Sequence, residues 1–487
     1  MPIGTQKARL WHANVGVILT LSIGTWLLLH EHRVSVVGSI VLLVIAVVFG
    51  AWQCRRLTHE FGLSFSKKLE CVWLIKILLS LTFVSLGWLH EIDRVDTIAK
   101  LHFSYDPIRY FFDAIAFIDN NWRHTTGSNS TGILYYYGLI FFVFGNSPFT
   151  AALFNNLVTL LVVLFVIRCL SEFRKTEING SFLLILLVAI PDSIWFDSIT
   201  SREGICTSLI LLVIFAARSL IYSKLDPSEI IKITAIALFG LSLLLLIRST
   251  TILPILVLIF LTIFFLKLPY KISNFNKICV VLLLLGALFI RPLVVTQTAS
   301  FTSGWLATLE TLTSFDKNIA ANSSQWNEKS IGRMLAPDNG YEAVIFSLPR
   351  MFVYLVAPLP NIPITMQSVS ENRYSLWQNL CALLTAASLV IIFPLSIAGL
   401  VQSTIRRKNE SSELFIHLGF WLVWLSIAGG NIIIQERYRL MMTPLLIITA
   451  WLGWVSCSTN LIKRCVYGWF LTLSLGVVFF YLYKSFR

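Results

Sequence analysis

The residues best suited to chemistry in this 487-residue chain lie in the run Asp106-Pro107-Ile108-Arg109-Tyr110. In a helix Asp106, Arg109 and Tyr110 share one face, because residues three and four apart are neighbours. A carboxylate can accept a proton from a hydroxyl or bind a divalent cation. An arginine can hold two phosphate oxygens at once. The same spacing also fits a structural interpretation, in which Asp106 caps a helix that starts at Pro107 and pairs with Arg109.

A second set of candidates consists of arginines at the expected outer ends of apolar segments. They are Arg202, which precedes Glu203, and Arg248, Arg291, Arg437 and Arg439. Charges at such depth are costly unless they are paired or line a wet cavity. Local pairs, Arg202 with Glu203 or Glu436 with Arg439, would satisfy them. Their position on the same side as Asp106 instead favours an anionic substrate, such as a lipid phosphate or diphosphate at the membrane surface.

The elements that must position these residues are membrane helices. Hydrophobic residues make up 56% of the chain and charged residues 13%, and apolar runs near the length of a bilayer core recur from end to end. This composition excludes a soluble globule, a disordered chain and a disulfide scaffold. We predict an all-α, polytopic bundle of about thirteen transmembrane helices. The predicted spans are 15–29, 34–52, 71–89, 150–171, 182–199, 204–222, 230–247, 251–266, 278–295, 375–403, 414–433, 440–456 and 466–483.

The charge distribution supports this topology. Two apolar stretches, 133–146 and 344–358, are too short or too interrupted to span comfortably, so we expect them to be interfacial or re-entrant. With the N-terminus inside, the excess of basic residues behind the net charge of +13 then falls on the inner side. Topology therefore accounts for the charge, and no nucleic-acid partner is needed.

Four regions follow from this topology. Two N-terminal transmembrane helices occupy 1–70, and a catalytic transmembrane core occupies 71–295 and includes an outer loop over 90–149. A second outer loop covers 296–374, and C-terminal transmembrane helices cover 375–487. Loops of this length in a compact bundle are usually functional.

Four motifs, in order over about residues 90–456, resemble the GT-C superfamily of membrane glycosyltransferases. The likeness is greatest to the group of the aminoarabinose–lipid A transferase and the protein O-mannosyltransferases. Asp-x-x-Arg-Tyr-x-x-x-Ala at 106–114 resembles the catalytic outer loop, and the stretch 131–147 resembles the interfacial helix that follows it. Ser201-Arg202-Glu203 resembles an outer helix start, and 436–439 with Pro444 resembles the C-terminal Arg-Tyr motif.

The resemblance implies an inverting transferase in the bacterial inner membrane, with its active site facing the periplasm. Its donor would be a sugar on a polyprenyl phosphate or diphosphate, and its acceptor a glycan, lipid or protein. Because the lipid carries the activated bond, no nucleotide cofactor is implied. Asp106 would be the catalytic carboxylate, and Asp106 and Glu203 could bind a divalent cation; Pro107 stands where a second acidic residue is frequent, which leaves metal dependence open. The residues expected to bind phosphate are Arg109, Tyr110, Arg202, Arg248, Arg437 and Arg439.

Other classes stay open on the sequence. A polymerase or ligase of O-antigen type would also use outer arginines and lipid diphosphates. A flippase or transporter would place charged residues at mid-membrane depth, where Lys76 is the clear candidate. An acyltransferase would use a histidine, for which His90, His102 and His124 are the outer-loop candidates.

Overall fold

The structure of the chain is a computed structural model, and it describes about two thirds of the residues. The described residues are 3–30, 36–89, 106–123, 131–174, 190–223, 225–248, 340–356, 373–405, 411–430, 436–485 and five positions between 255 and 262. The predicted spans 251–266 and 278–295 lie outside them apart from those five positions, as does most of the second outer loop.

Every regular element in the described part of the chain is a helix. In chain order the α-helices are α1 Ile3–His30, α2 Val36–Val44, α3 Gly50–Arg56, α4 Thr58–Phe61, α5 Leu63–Phe83, α6 Asp106–Asp119, α7 Thr131–Phe144, α8 Pro148–Arg174, α9 Pro191–Asp197, α10 Arg202–Tyr222, α11 Pro227–Ile247, α12 Gly340–Val356, α13 Arg373–Ile405, α14 Ser411–Gly430, α15 Thr443–Ser456 and α16 Thr459–Ser485. Single π-helical turns follow α2 and α5, and the 3₁₀ helix Glu436–Met441 precedes α15.

Six of the described helices are long and apolar enough to cross a membrane. They cover Val36–Phe61, Leu63–Leu86, Pro148–Glu172, Arg202–Tyr222, Pro227–Ile247 and Trp377–Ile405. Shorter apolar helices cover Val15–Leu29, Gly132–Phe144, Ile345–Val356, Ser412–Ala428 and Thr443–Ser456. The prediction of a helical membrane protein is confirmed for these residues.

Helix α10 is the centre of the described bundle. Of the most apolar 18-residue stretch of α10, 94% is buried inside the protein, whereas the corresponding share is 39% for the candidate span Val36–Phe61 near the N-terminus. It packs against α8, α11 and the 3₁₀ helix. A helix buried on all sides is apolar around its whole circumference. The polar residues at the start of α10 therefore face protein rather than lipid.

The predicted span 182–199 differs from the structure at its C-terminal end. Ile190 is extended, and Pro191 starts the seven-residue helix α9. Proline cannot donate the backbone hydrogen bond that would continue a helix, and it disfavours helical geometry in the residue before it. The chain turns over Ser198–Thr200 and begins α10 at Arg202. This break lies against the bundle interior, because residues 192–201 are buried.

Glycine permits a very close contact between two helices. A Cβ built on Gly453 of α15 would stand 1.9 Å from the carbonyl oxygen of Leu395 in α13 and 2.9 Å from the backbone nitrogen of Gly399. Small residues allow membrane helices to approach this closely. This contact holds α15 against α13 and positions the 3₁₀ helix that precedes α15.

Candidate functional site

A buried carboxylate lies at the start of α10. The Ser201 hydroxyl accepts a hydrogen bond from the backbone N–H of Glu203 at 3.0 Å and donates one to Glu203 Oε2 at 3.0 Å. A serine N-cap satisfies one of the N–H groups that a helix start leaves without a partner. The Glu203 side chain is 1% exposed. The cap therefore fixes an acidic group inside the protein.

Two arginines share this carboxylate. Arg202 Nε lies 3.4 Å from Glu203 Oε1, and Arg248 Nη1 lies 3.8 Å from the same oxygen. Arg248 follows α11, and its guanidinium carbon stands 4.5 Å from the centre of the Tyr438 ring, a cation–π contact. The predicted pairing of Arg202 with Glu203 is thus observed. Arg248 joins the pair because α10 and α11 pack side by side.

Helix α12 adds residues that the sequence did not select. The Arg350 side chain is completely buried and shares a hydrogen bond with Tyr354 one turn later. Tyr354 is also within electrostatic reach of Tyr438 and Arg248. The sequence did contain a signal for Arg350, because an arginine that follows Pro349 inside an apolar stretch is costly to bury and usually functional.

We call these six residues the arginine cluster: Arg202, Glu203, Arg248, Arg350, Tyr354 and Tyr438. The cluster contains three guanidinium groups and one carboxylate, so it carries a net positive charge. A buried charge is stable when a counter-charge and hydrogen bonds compensate it. The arrangement suits an anion, and the planar guanidinium groups suit phosphate oxygens.

The first turn of α6 docks beside this cluster. Thr200 Oγ1 donates a hydrogen bond to the carbonyl oxygen of Pro107 at 2.5 Å. This bond joins the residue after Asp106 to the turn that leads into α10. Asp106 is the first residue of α6, so the helix begins one residue before the start predicted at Pro107, and for Asp106 the structure describes the backbone only. The backbone at the start of α6 and the start of α10 are thereby attached to the same turn.

The other two candidates on α6, Arg109 and Tyr110, differ in their exposure. Arg109 Nε lies 3.7 Å from Asp113 Oδ2, and the Arg109 side chain is 42% exposed. It is the cation of this helix and is partly accessible. Tyr110 is 2% exposed and packs into the core. Within the described residues, Arg109 therefore pairs forward along α6 with Asp113.

A polar network on α7 and α8 supports the turn before α10. Tyr137 Oη donates to the carbonyl oxygen of Ser201 at 2.9 Å, and Asn155 Nδ2 donates to Tyr137 Oη at 3.1 Å. Tyr136 Oη donates to Asn155 Oδ1 at 3.0 Å. Burial raises the pKa of both tyrosines well above the usual range, so each stays a neutral phenol that can donate. The network holds the backbone of the cap in place.

Arg439, predicted to bind phosphate, is held in an ion pair. Its Nε donates to Asp192 Oδ2 at 3.0 Å, and its Nη2 donates to the carbonyl oxygen of Ala382. The side chains of Arg439 and Asp192 are 0% and 3% exposed. This pair ties the 3₁₀ helix to α9 and α13. For Arg437, two residues earlier, the structure describes the backbone only.

A second buried ion pair lies inside the bundle. Lys76 Nζ, near the middle of the candidate span Leu63–Leu86, stands 2.7 Å from Asp197 Oδ2 at the end of α9. Ser193 accepts a hydrogen bond from Lys76 Nζ at 3.1 Å, and Thr159 donates to Asp197 Oδ2 at 3.1 Å. The side chains of Lys76 and Asp197 are 0% and 3% exposed. The sequence identified Lys76 but not its partner.

The described residues hold no group of three His, Cys, Asp or Glu side chains that could bind a metal ion. Glu203, a predicted metal ligand, has its two oxygens directed at Ser201 and at two arginines. A cation there would meet two guanidinium groups. In the described part of the chain, Glu203 thus acts as a counter-ion to the arginines.

Comparison of the chain with protein-family models, with curated proteins and with solved structures gives no match. The functional interpretation therefore depends on the residues and on their arrangement.

Proposed function

We propose that the chain is a membrane glycosyltransferase that uses a sugar linked to a polyprenyl phosphate or diphosphate. The observation that supports this most is the arginine cluster at the start of α10, which lies next to the turn whose Thr200 donates a hydrogen bond to the backbone of Pro107. In the proposal, the guanidinium groups of the cluster bind phosphate, and Asp106, at the start of α6 beside that turn, supplies the carboxylate that accepts a proton. The buried cations Lys76 and Arg439 lie outside the cluster, and each is neutralised by a carboxylate of its own, Asp197 and Asp192. The cluster, in contrast, has more guanidinium groups than carboxylates.

The proposed reaction follows from these groups. The acceptor hydroxyl attacks the anomeric carbon of the donor sugar, and the bond from that carbon to the phosphate oxygen breaks. The electron pair leaves with the lipid phosphate, and Asp106 takes the proton of the hydroxyl. Negative charge grows on the leaving phosphate, and fixed guanidinium groups stabilise it. Attack opposite the leaving group inverts the configuration.

The membrane arrangement belongs to the same proposal. In the predicted topology of thirteen spans with the N-terminus inside, Asp106 and the arginine cluster face the outside of a bacterial inner membrane. The arrangement would be that of a GT-C enzyme, with α6 and α7 in the first outer loop. The donor then reaches the site from the outer leaflet, already activated, and the acceptor is a glycan, lipid or protein on that side.

The test is transfer by the purified full chain in liposomes. The donors are polyprenyl-phosphate hexose and polyprenyl-diphosphate hexose with a radiolabelled sugar, and the readouts are labelled acceptor and released polyprenyl phosphate or diphosphate. We expect Asp106→Asn to abolish transfer, while Asp119→Asn at the exposed far end of α6 keeps it. Full activity in Asp106→Asn would remove Asp106 from the mechanism, and no consumption of either donor would refute the function. A ladder of acceptor masses would indicate a polymerase instead of a single transfer.

A second candidate, transport of a lipid-linked sugar, is favoured by the pair Lys76–Asp197. It lies in mid-span beside the helix break between α9 and α10, and broken helices with charged residues at mid-depth are typical of transporters. Movement of intact donor across the liposome bilayer without cleavage would support it. Cleavage of the sugar–phosphate bond would support the transferase.

A further inference from the structure

A cavity of about 320 Å³ lies behind α12, on the far side from the arginine cluster. Helices α12, α13, α14 and α16 form its walls, through residues that include Phe352, Phe393, Trp424 and Trp469. Arg350 and Tyr354 are one turn apart on one face of α12, whereas Leu348 and Phe352 are one turn apart on the opposite face. The helix therefore separates the cavity from the cluster.

The cavity is apolar and aromatic. The Phe393 and Trp469 ring centres are 4.6 Å apart, and those of Phe352 and Trp469 are 5.7 Å apart. Its volume is roughly ten times that of a water molecule in the liquid, yet apolar cavities do not hold water. A hydrocarbon chain is the ligand class that such walls favour.

The cavity opens onto the surface that faces lipid. Leu348 lines it and is 54% exposed. On α16, Gly468 and Thr472 line it and are exposed, and the neighbouring Leu471 is 62% exposed. A chain in the surrounding bilayer can enter sideways without crossing a polar layer.

An exposed arginine stands beside one end of the cavity. Arg464 directly precedes Cys465, the first α16 residue of the cavity wall, and lies about a quarter turn from the lining face. Lys463 is exposed on the opposite face of α16.

Along α16 the wall extends about 12 Å from Arg464 to Thr472, at 1.5 Å per residue. Exposed basic residues next to a bilayer attract anionic headgroups. A phosphate at Arg464 would direct a chain of its own lipid along the cavity.

We propose that this cavity binds one acyl chain of an anionic phospholipid whose headgroup lies on Arg464. The position of α12 between the cavity and the cluster distinguishes this lipid from a donor held by its phosphate at Arg248 and Arg350. The chain fills the space behind α12 and so supports the face that presents Arg350 and Tyr354. The proposal does not depend on the reaction carried out at the cluster.

The test uses the full chain in nanodiscs made of equal parts of phosphatidylglycerol and phosphatidylcholine. One lipid at a time carries a photoreactive group on an acyl chain, and mass spectrometry locates the labelled peptide. Gly468→Leu fills the cavity, because a Cβ at Gly468 meets nothing within 4 Å. Gly476→Leu is the matched control, since Gly476 lies on the same helix with the same free space and does not line the cavity.

We expect labelled phosphatidylglycerol to mark residues 463–472 in the wild type and in Gly476→Leu, and not in Gly468→Leu. Arg464→Gln should lower that labelling about fivefold, whereas Lys463→Gln, on the opposite face of α16, should change it little. If Gly468→Leu does not fold, Leu348→Trp closes the same cavity from α12. The proposal would be overturned if Gly468→Leu and Arg464→Gln left the labelling unchanged, or if phosphatidylcholine labelled the peptide as strongly as phosphatidylglycerol. A photoreactive polyprenyl phosphate that marks this peptide in place of phosphatidylglycerol would overturn it as well.

Discussion

The buried pair Lys76–Asp197 gives the sharpest prediction about stability. Its atoms are 2.7 Å apart, and both side chains are almost completely buried. Removing one partner leaves an unpaired charge in the interior, which costs about 3–5 kcal/mol. We therefore expect Lys76→Met to lower the free energy of unfolding by that amount. Asp197→Asn should cost a similar amount, because it leaves the lysine without its carboxylate.

The double variant separates charge from shape. Lys76→Met with Asp197→Asn removes both charges, and the amide can still accept the hydrogen bond from Thr159. Replacing a buried pair by uncharged groups is often close to neutral. We expect the double variant to recover most of the lost stability. The coupling energy, which is the sum of the two single costs minus the cost of the double variant, is then at least about 3 kcal/mol, at or above the upper end for residues in contact.

The assay is reversible unfolding of the purified protein in mixed micelles, followed by tryptophan fluorescence. The control is Glu60→Gln, which breaks the pair Glu60–Arg168, whose side chains are 42% and 45% exposed. An exposed pair contributes about 0–1 kcal/mol, so this change should be small. The reasoning is refuted if Lys76→Met costs no more than Glu60→Gln, or if the double variant is no more stable than the single variants. A folded double variant that keeps sugar transfer would also exclude the pair from the reaction.

Three further predictions concern the site and its support. Arg350→Gln should raise the KM for the lipid donor about 10-fold or more, because hydrogen bonds between charged partners contribute about 1.5–3 kcal/mol; an unchanged KM would exclude Arg350 from donor binding. Ser201→Ala should cost about 1 kcal/mol of unfolding free energy as a lost N-cap, and a thermal melt that matches the wild type would contradict this. Gly453→Ala should prevent correct packing, because the new Cβ would lie 1.9 Å from the Leu395 carbonyl oxygen, whereas Gly476→Ala meets open space; size-exclusion profiles compare the two.

Much of the candidate site follows from local sequence. Asp106 with Pro107 predicts the start of α6 to within one residue, and Ser201-Arg202-Glu203 indicates the start of α10 and the pair Arg202–Glu203. These features depend on residues at most four positions apart, over which helix geometry is fixed. Their outcome could therefore be predicted without knowledge of the fold.

Partners from distant segments could not be predicted in this way. Arg439 was expected to pair with Glu436 or to bind phosphate, yet it pairs with Asp192, 247 positions away. Lys76 meets Asp197 across 121 positions. Which carboxylate reaches which cation depends on the helix packing and on the break at Pro191, and hydropathy does not encode either of them.

The sequence by itself determined that the chain is a helical membrane protein and where most described helices begin and end, because apolar length, proline and capping residues act locally. Only the tertiary structure decided that Arg202 and Arg248 meet at Glu203, and that Tyr438 and Tyr354 connect Arg248 with Arg350. That arrangement requires α10, α11, α12 and the 3₁₀ helix to converge, and the convergence results from side-chain packing between segments that are distant in the chain. The same packing leaves the cavity behind α12, which no local pattern in the sequence indicates.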